Sequence, residues 1–389
     1  MKNKLNTKTG FLTVIGVVAA LALLVSGVFI YAVYETVLKP AEFTYTEPAS
    51  GDNTGYYRYC YSELTVEEQR VYSVIMQSIY DMPEKIEIPE LGTGNLDNIF
   101  TALSYDNPDL FCLGGTCTVY TEGYKTFFEP TYSMTAEEYK ERLVEVKNIA
   151  AAIANAANTF TSVYEKELYV HDYLINHCIY AEATEGSMAN NIYGCLVEGK
   201  AACEGYSRAF QYILSQLNID NRLVTGESAE DGVNYIGHMW NYVVIEGQGY
   251  FVDVTWDDPK TSGSVLRHTY FNVNTNDILL EHTIDQTLPL CTATKYNYFV
   301  YENAYLPIGA GEVFEMYVDN AVHSALQRGY KYVELRFSDA SVMDQARNSL
   351  FNGGVIYNVY RDEGILPQLG GSKVYYSSYE NMNVICLFF

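Results

Sequence analysis

An uncharged apolar stretch lies near the start of the chain, at residues 11–34, with lysines before it and acidic residues after it. About 20 apolar residues can cross a bilayer, and lysines before such a stretch favour a cytoplasmic N-terminus. The pattern predicts a cytoplasmic tail at 1–10 and a transmembrane signal anchor at 11–34. It also predicts a single-pass location in the cell membrane, with the remainder extracytoplasmic. A cleaved signal peptide is the alternative, but such peptides have a shorter apolar region and a small-residue cleavage site.

The next segments predict a linker and a helix-rich extension. Residues 35–57 are rich in Pro, Gly, Thr and Ser and show no periodicity, which is typical of a linker. From residue 58 onward, three Ser/Thr-x-x-Glu pairs predict capping boxes that start helices. They are Thr65 with Glu68, Thr135 with Glu138, and Ser162 with Glu165. We interpret residues 58–159 as an N-terminal α/β extension.

The central region, residues 160–302, predicts a helix followed by an antiparallel hairpin. Apolar residues recur at helical spacing after Cys203 and predict one buried face of a helix; they are Tyr206, Phe210, Ile213, Leu214 and Leu217. Further along, HMWNYVVI and YFVDVTW alternate with a period of two around EGQG, which indicates a hairpin.

After about residue 303 the pattern changes. A helix through VDNAVHSALQRG, a strand YVELRF, a further helix and a terminal strand NVICLFF follow one another. We interpret residues 303–389 as a small C-terminal α+β domain, so that the fold class of the whole chain is α+β.

Composition narrows the possible functions. The formal net charge is −24, and no basic stripe follows residue 40, so nucleic acid is not an expected partner. The apolar fraction of 48% is that of a folded protein. Eight cysteines are present, and Cys112 and Cys117 are either a disulfide across a tight turn or two half-buried strand cysteines.

One cysteine has the surroundings of a nucleophile. Cys203 lies in GKAACEGYSRAF, at the predicted start of a helix, where unpaired N–H groups and the positive end of the helix dipole favour a thiolate. A base must take its proton, and a further group must orient that base. His238 in GHMWNY is the candidate base, and Asp253 in YFVDVTWDDP is the candidate orienting acid.

The expected register of the hairpin does not bring His238 and Asp253 within hydrogen-bonding distance. His238 and Asp253 share one face by parity. A turn centred on Gly247 and Gln248 would nevertheless set Asp253 opposite Tyr242, about 13 Å along the strand from His238. The pairing therefore requires a bulge or an off-centre turn.

Three motifs in order resemble a bacterial transglutaminase-like domain: YGCLVEGKAACEGYSRAF, GHMWNYVVIEGQGYFVDVTWDDP and RHTYFNVN. The resemblance covers about residues 160–275. It implies a papain-like core, in which a helix that carries Cys packs on an antiparallel sheet that carries His and Asp. It also implies a triad of Cys203, His238 and Asp253, but not one particular reaction, because the family includes transglutaminases, peptidases, amidases and inactive relatives.

The expected function is therefore an extracytoplasmic thiol acyl-transfer enzyme that hydrolyses peptide or amide bonds through a thioester at Cys203. Its expected partner is a peptide or protein substrate, in addition to the membrane. The alternatives are a protein-glutamine cross-linking transglutaminase and a non-catalytic surface binding module with a vestigial triad.

No cofactor or metal ion is expected from the sequence. A zinc site at the three triad positions would lack a fourth ligand. His171 and His177 are six residues apart on one predicted helix and do not share a face. We interpret Asp257 and Asp258 as turn residues, and Trp240 and Trp256 either as packing residues or as the lining of a substrate groove.

Overall fold

The computed structural model describes residues 7–34, 58–92, 94–229, 232–258, 266–369 and 373–389. The predicted linker at 35–57 lies outside the described residues.

The first helix, α1, runs over Thr7–Val33. Within the ranges given above, no helix combines the length and the apolar character that crossing a membrane demands. This finding overturns the predicted transmembrane anchor, together with the single-pass membrane location and the extracytoplasmic body that were inferred from it.

The N-terminal extension has its own small sheet and core. Its helices are α2 (Tyr59–Glu63), α3 (Val66–Met76) and α4 (Leu96–Tyr105), and its strands are β1 (Ile86–Ile88), β2 (Leu113–Glu122) and β3 (Lys125–Tyr132). The strands pair antiparallel in the order β1-β3-β2. Buried apolar side chains from both helices and strands form this core, among them Val71, Ile75, Ile88, Ile99 and Phe128.

All three predicted capping boxes are present. They start α3, then α5 (Ala136–Ala157) and α6 (Val163–His177). In each, the Ser or Thr side chain accepts from the backbone N–H three residues on, and the Glu side chain accepts from the backbone N–H of the cap. These helix starts are determined locally, which is why the sequence was sufficient to place them.

The central part of the chain is a helix packed on an antiparallel sheet. Helix α7 (Cys203–Gln216) contacts β6 (Asp220–Ser228) and β7 (Ile236–Ile245). With β8 (Gln248–Val252) and β9 (His282–Ile284), these strands form a sheet in the order β8-β7-β6-β9. The predicted apolar face of α7 is buried against the core, which confirms the helix-on-sheet arrangement.

Short elements connect these parts. The two-residue strands β4 (Ile179–Tyr180) and β5 (Lys200–Ala201) pair in parallel just before α7. Single-turn helices α8 (Val254–Asp257), α9 (Thr275–Ile278) and α10 (Tyr298–Tyr301) follow the hairpin.

The C-terminal part forms a second four-stranded sheet, which is covered by helices. Its strands are β10 (Tyr305–Leu306), β11 (Tyr332–Phe337), β12 (Tyr375–Tyr379) and β13 (Val384–Phe388), in the order β10-β11-β13-β12. Its helices are α11 (Glu312–Gln327), α12 (Ala340–Arg347) and α13 (Val355–Asp362). Its buried side chains belong to the same continuous hydrophobic cluster as those of the central part. The domain boundary at residue 303 stays a prediction.

Candidate active site

Cys203 is the first residue of α7 and is half-buried. The residue before it, Ala202, has no side chain that could cap the helix, so N–H groups of the first turn are left for another partner. Ser207 Oγ lies 2.8 Å from the carbonyl oxygens of both Cys203 and Met239. Asn241 Nδ2 donates to the Ser207 carbonyl at 3.0 Å. These hydrogen bonds fix the start of α7 against strand β7.

Gly205 allows another segment to approach the first turn of α7. A Cβ at this position would collide with the carbonyl oxygen of Ala189 and would lie 2.9 Å from the Cβ of Ala201. The Ala189 carbonyl accepts from the backbone N–H of Ala202 at 2.9 Å. The space beside the nucleophile is therefore occupied by backbone, which holds the residue that precedes Cys203 in place.

His238 stands between the thiol and a buried carboxylate. Its Nε2 lies 2.6 Å from Asp253 Oδ2, and its ring stacks on that of Trp240 with 5.7 Å between centroids. The Cys203 thiol lies near enough to the same imidazole to contribute to its raised pKa. Because Nε2 is committed to Asp253, Nδ1 is the nitrogen that remains for the thiol. The structure thus brings all three sequence-predicted residues together.

The charges on His238 and Asp253 stabilise each other. Burial alone would lower the pKa of His238, but the charge and hydrogen bond of Asp253, with a smaller contribution from Cys203, raise it to about 10. Burial alone would raise the pKa of Asp253, but His238 and His282 hold it well below its usual range. At neutral pH the imidazolium–carboxylate pair is therefore the stable form.

The register problem is solved by the position of the turn. Strand β7 pairs with β8 so that Tyr242 lies opposite Phe251 and Ile245 lies opposite Gln248. The turn residues are Glu246 and Gly247, which both have positive φ, so the hairpin is closed by a two-residue turn of the primed type. Continued by one pair, this register sets residue 253 opposite residue 240, two positions closer to residue 238 than a turn centred on 247 and 248 would allow.

Asp253 is held from both sides. It lies just beyond β8 and caps α8, where its Oδ1 accepts from the backbone N–H groups of Thr255 at 3.0 Å and Trp256 at 3.1 Å. Its Oδ2 accepts from His238 and also from His282 Nε2, the latter at 2.9 Å. A fully buried carboxylate with four donors is a rigid acceptor for the imidazole.

His282 was not found from the sequence. It is fully buried on β9, a three-residue strand that pairs with the far side of β6, and its ring lies against Trp240, Trp256 and Tyr270. Its Nδ1 has no hydrogen-bond partner among the described residues. The proton therefore belongs on Nε2, where it is donated to Asp253. The signal that could have found it, a non-local strand pairing, is not readable from local periodicity.

The structure also places the two cysteines and the two tryptophans that the sequence analysis left with alternative interpretations. Cys112 is buried and Cys117 is half-buried on β2, and all eight cysteines are free thiols in the structure. Trp240 is fully buried, whereas Trp256 is half-buried with its ring 6.1 Å from that of His238. The donor atoms of His238, Asp253 and His282 lie within 4.8 Å of one another.

Comparisons with known proteins point to one family. Residues 147–254 match the family model described as the transglutaminase-like superfamily. No curated protein matches the chain. Among solved structures, a protein described as a TGase is 16% identical, with a TM-score of 0.27, and the match covers 41% of this chain and 48% of that one.

A second solved structure, the periplasmic domain of TgpA from Pseudomonas aeruginosa bound to ethylmercury, is 17% identical with a TM-score of 0.22. The match covers 34% of this chain and 57% of that one, so this chain spans about half the length of the structures it matches. The residues that the family model matches include helix α7, the hairpin of β7 and β8, and Cys203, His238 and Asp253. Residues 147–254 of this chain are therefore similar to the transglutaminase-like superfamily, and the match does not extend to the rest of the chain.

Proposed function

We propose that the protein is a thiol acyl-transfer enzyme that hydrolyses peptide or amide bonds through a Cys203 thioester. The observation that carries this proposal is the 2.6 Å hydrogen bond between His238 Nε2 and Asp253, in a buried site where the Cys203 thiol at a helix start contributes to the raised pKa of the same imidazole. A thiol, a base and an orienting carboxylate in this order are what nucleophilic acyl transfer requires.

In the proposed reaction, the proton of Cys203 resides on His238, and the thiolate sulfur bonds to the substrate carbonyl carbon. The uncapped N–H groups at the start of α7 are positioned to stabilise the developing oxyanion. The C–N bond then breaks, and His238 gives its proton to the leaving amine. Water, deprotonated by His238, attacks the thioester and releases the acid and the thiolate, which returns the site to its starting state.

Asp253 has an electrostatic and an orienting role in this scheme. It stabilises the imidazolium and keeps the His238 proton on Nε2 in the neutral state, so that Nδ1 is free to accept from the thiol. His282 is a positioning residue, since it bonds the oxygen of Asp253 that also faces His238.

Cross-linking through an amine acceptor is the second candidate, because the same thioester can be resolved by a lysine amine instead of water. We favour hydrolysis because water competes with every amine at an accessible thioester. The third candidate, a binding module with a vestigial triad, would bind peptides without changing them.

One experiment separates the three candidates. The full chain is incubated with a peptide library containing glutamine, asparagine and internal amide bonds, with and without excess primary alkylamine, and the products are identified by mass spectrometry. We expect cleaved or deamidated peptides in both conditions, and a loss of about 10⁴-fold or more in Cys203→Ser. Cys117→Ser, which removes another half-buried thiol, should retain activity. Dominant amine incorporation would favour cross-linking, and unchanged peptides would favour the binding module.

A further inference from the structure

A second cluster of titratable side chains lies outside the candidate active site. His171 and His268 are both buried, and their rings lie 5.5 Å apart. His171 and Asp172 belong to α6, whereas His268 follows the hairpin and α8 along the chain. The donor atoms of these three side chains lie within 4.8 Å of one another. None of them takes part in the mechanism proposed above.

Each histidine uses one ring nitrogen to contact a carboxylate behind it. His171 Nε2 lies 3.2 Å from Asp257 Oδ2, and His268 Nδ1 lies 2.7 Å from Glu334 Oε2. Asp257 is itself fixed, since both of its oxygens accept from the backbone N–H of Tyr270 at 3.0 and 3.1 Å. Metal-binding histidines are typically supported in this way, because the carboxylate sets the orientation of the ring and raises its basicity.

The two remaining ring nitrogens converge on one oxygen. His171 Nδ1 lies 2.9 Å and His268 Nε2 lies 3.1 Å from Asp172 Oδ1. Around a tetrahedral ion with bonds of about 2.0–2.2 Å, neighbouring ligand atoms lie about 3.3–3.6 Å apart, so these atoms need to separate by only a few tenths of an ångström to bind an ion. The Asp172 side chain is 23% exposed, which gives an ion access to the cluster from solvent.

We propose that His171, Asp172 and His268 form a binding site for a divalent transition-metal ion of the zinc type. Two imidazole nitrogens and one carboxylate oxygen supply three ligands, and water occupies the fourth position on the exposed side of Asp172. Asp257 and Glu334 are the supporting carboxylates. This proposal does not depend on the proposed function, because the residues are different.

An ion at this site would link three parts of the chain. Asp172 lies on α6, Asp257 ends α8, and Glu334 lies on β11 of the C-terminal part. Asp253 caps the other end of α8, so the ion would also stabilise the element that positions this residue.

The test is a titration of the chelator-treated full chain with ZnCl₂ by calorimetry, in buffers of different protonation enthalpy. The parent protein for all of these titrations carries the Cys203→Ser substitution, so that the candidate nucleophile cannot bind the ion. We expect one ion per chain, release of protons on binding, and affinity that increases with pH, because histidine binds a metal ion in its deprotonated form. Co²⁺ bound at the same site should give an absorption spectrum typical of coordination by nitrogen and oxygen atoms.

Variants assign the binding to these residues. His171→Gln and His268→Gln should abolish binding, and Glu334→Gln should weaken it about 10–100-fold. The matched control is His282→Gln, which alters the other histidine cluster and should bind normally. Asp172→Asn, at a partly exposed position, should fold like the parent but lose the rise in unfolding temperature that zinc causes. Equal affinity in parent, His268→Gln and Asp172→Asn, or loss of binding in His282→Gln, would overturn the proposal.

Discussion

At the scale of single residues, the hydrogen-bond partners of the two buried histidines determine which ring nitrogen carries a proton. Asp253 Oδ2 accepts from two histidines, so each must carry a proton on Nε2. His282 then leaves Nδ1 without a partner among the described residues, whereas Nδ1 of His238 remains for the thiol. The two buried histidines thus share one carboxylate, but only His238 has a second group to exchange a proton with.

This arrangement predicts the reactivity of Cys203 in the absence of any substrate. Iodoacetamide should alkylate Cys203 below pH 7, and faster than any other cysteine, because an imidazolium and a helix start favour the thiolate. In His238→Ala the rate at pH 6 should fall roughly tenfold or more, since the cationic partner has been removed. The measurement is an alkylation rate at a series of pH values, with peptide mapping.

The control for this series is His177→Ala, which removes an exposed histidine at the end of α6 and should leave the alkylation profile unchanged. A Cys203 that alkylates only at the pH of an ordinary thiol, with the same profile in His238→Ala, would exclude the ion pair. The binding-module hypothesis would then be preferred.

At the scale of elements, the first turn of α7 is stabilised by tertiary packing rather than by capping. Helix propensity alone predicts that Gly205→Ala stabilises a helix by about 1 kcal/mol. The Ala189 carbonyl occupies the space of the new Cβ, so we expect the opposite sign, a loss of about 1–3 kcal/mol in the free energy of unfolding. The displaced helix start should also slow the alkylation of Cys203.

Denaturant unfolding measures this effect, and Gly115→Ala is the matched control because a Cβ added at Gly115 would meet nothing within 4 Å. A stabilised Gly205→Ala protein with normal Cys203 reactivity would show that the Ala189 segment yields to the new methyl group. The close approach would then have no role in positioning the nucleophile.

The elements that sequence reasoning found are those with local signals. The capping boxes and the apolar face of α7 depend on residues within a few positions of one another. The hairpin was also found, but its register depended on whether Glu246 would accept a positive φ, which is rare for this residue type. His282 and His268 could not be assigned, because their partners are 29 and 96 residues away along the chain.

At the scale of the whole molecule, the C-terminal part is joined to the central part by polar contacts as well as by a shared core. Arg336 Nη2 donates to Asp277 Oδ1 at 2.7 Å, and Asn381 Nδ2 donates to Glu281 Oε1 at 2.6 Å. Glu281 directly precedes His282, so these contacts continue towards the candidate site. Although the sequence pattern changes near residue 303, the physical contacts do not stop there.

These contacts predict the result of truncating the chain after residue 302. Buried side chains such as Phe299 and Tyr298 would be exposed, at a cost of about 1.5–3 kcal/mol for each fully buried large apolar residue. A loss of only ~3 kcal/mol lowers the midpoint of thermal unfolding by roughly 6–12 °C in a protein of 150–250 residues. We therefore expect the fragment 58–302 to unfold at a lower temperature than the chain 58–389, and to alkylate Cys203 more slowly.

The unfolding temperature and the Cys203 alkylation rate are also measured for Arg336→Ala in the chain 58–389. This substitution removes one ion pair and leaves the buried apolar side chains in place, so it separates the effect of the polar contact from that of the shared core. This variant should lose about 1–3 kcal/mol, because the Arg336 and Asp277 side chains are only 10% and 21% exposed and Asp277 loses its charged partner. A fragment 58–302 that unfolds at the temperature of the longer chain, with unchanged Cys203 reactivity, would establish residues 303–389 as an independent domain. In that case the apolar contacts across residue 303 would be a docking surface between two stable units rather than part of one core.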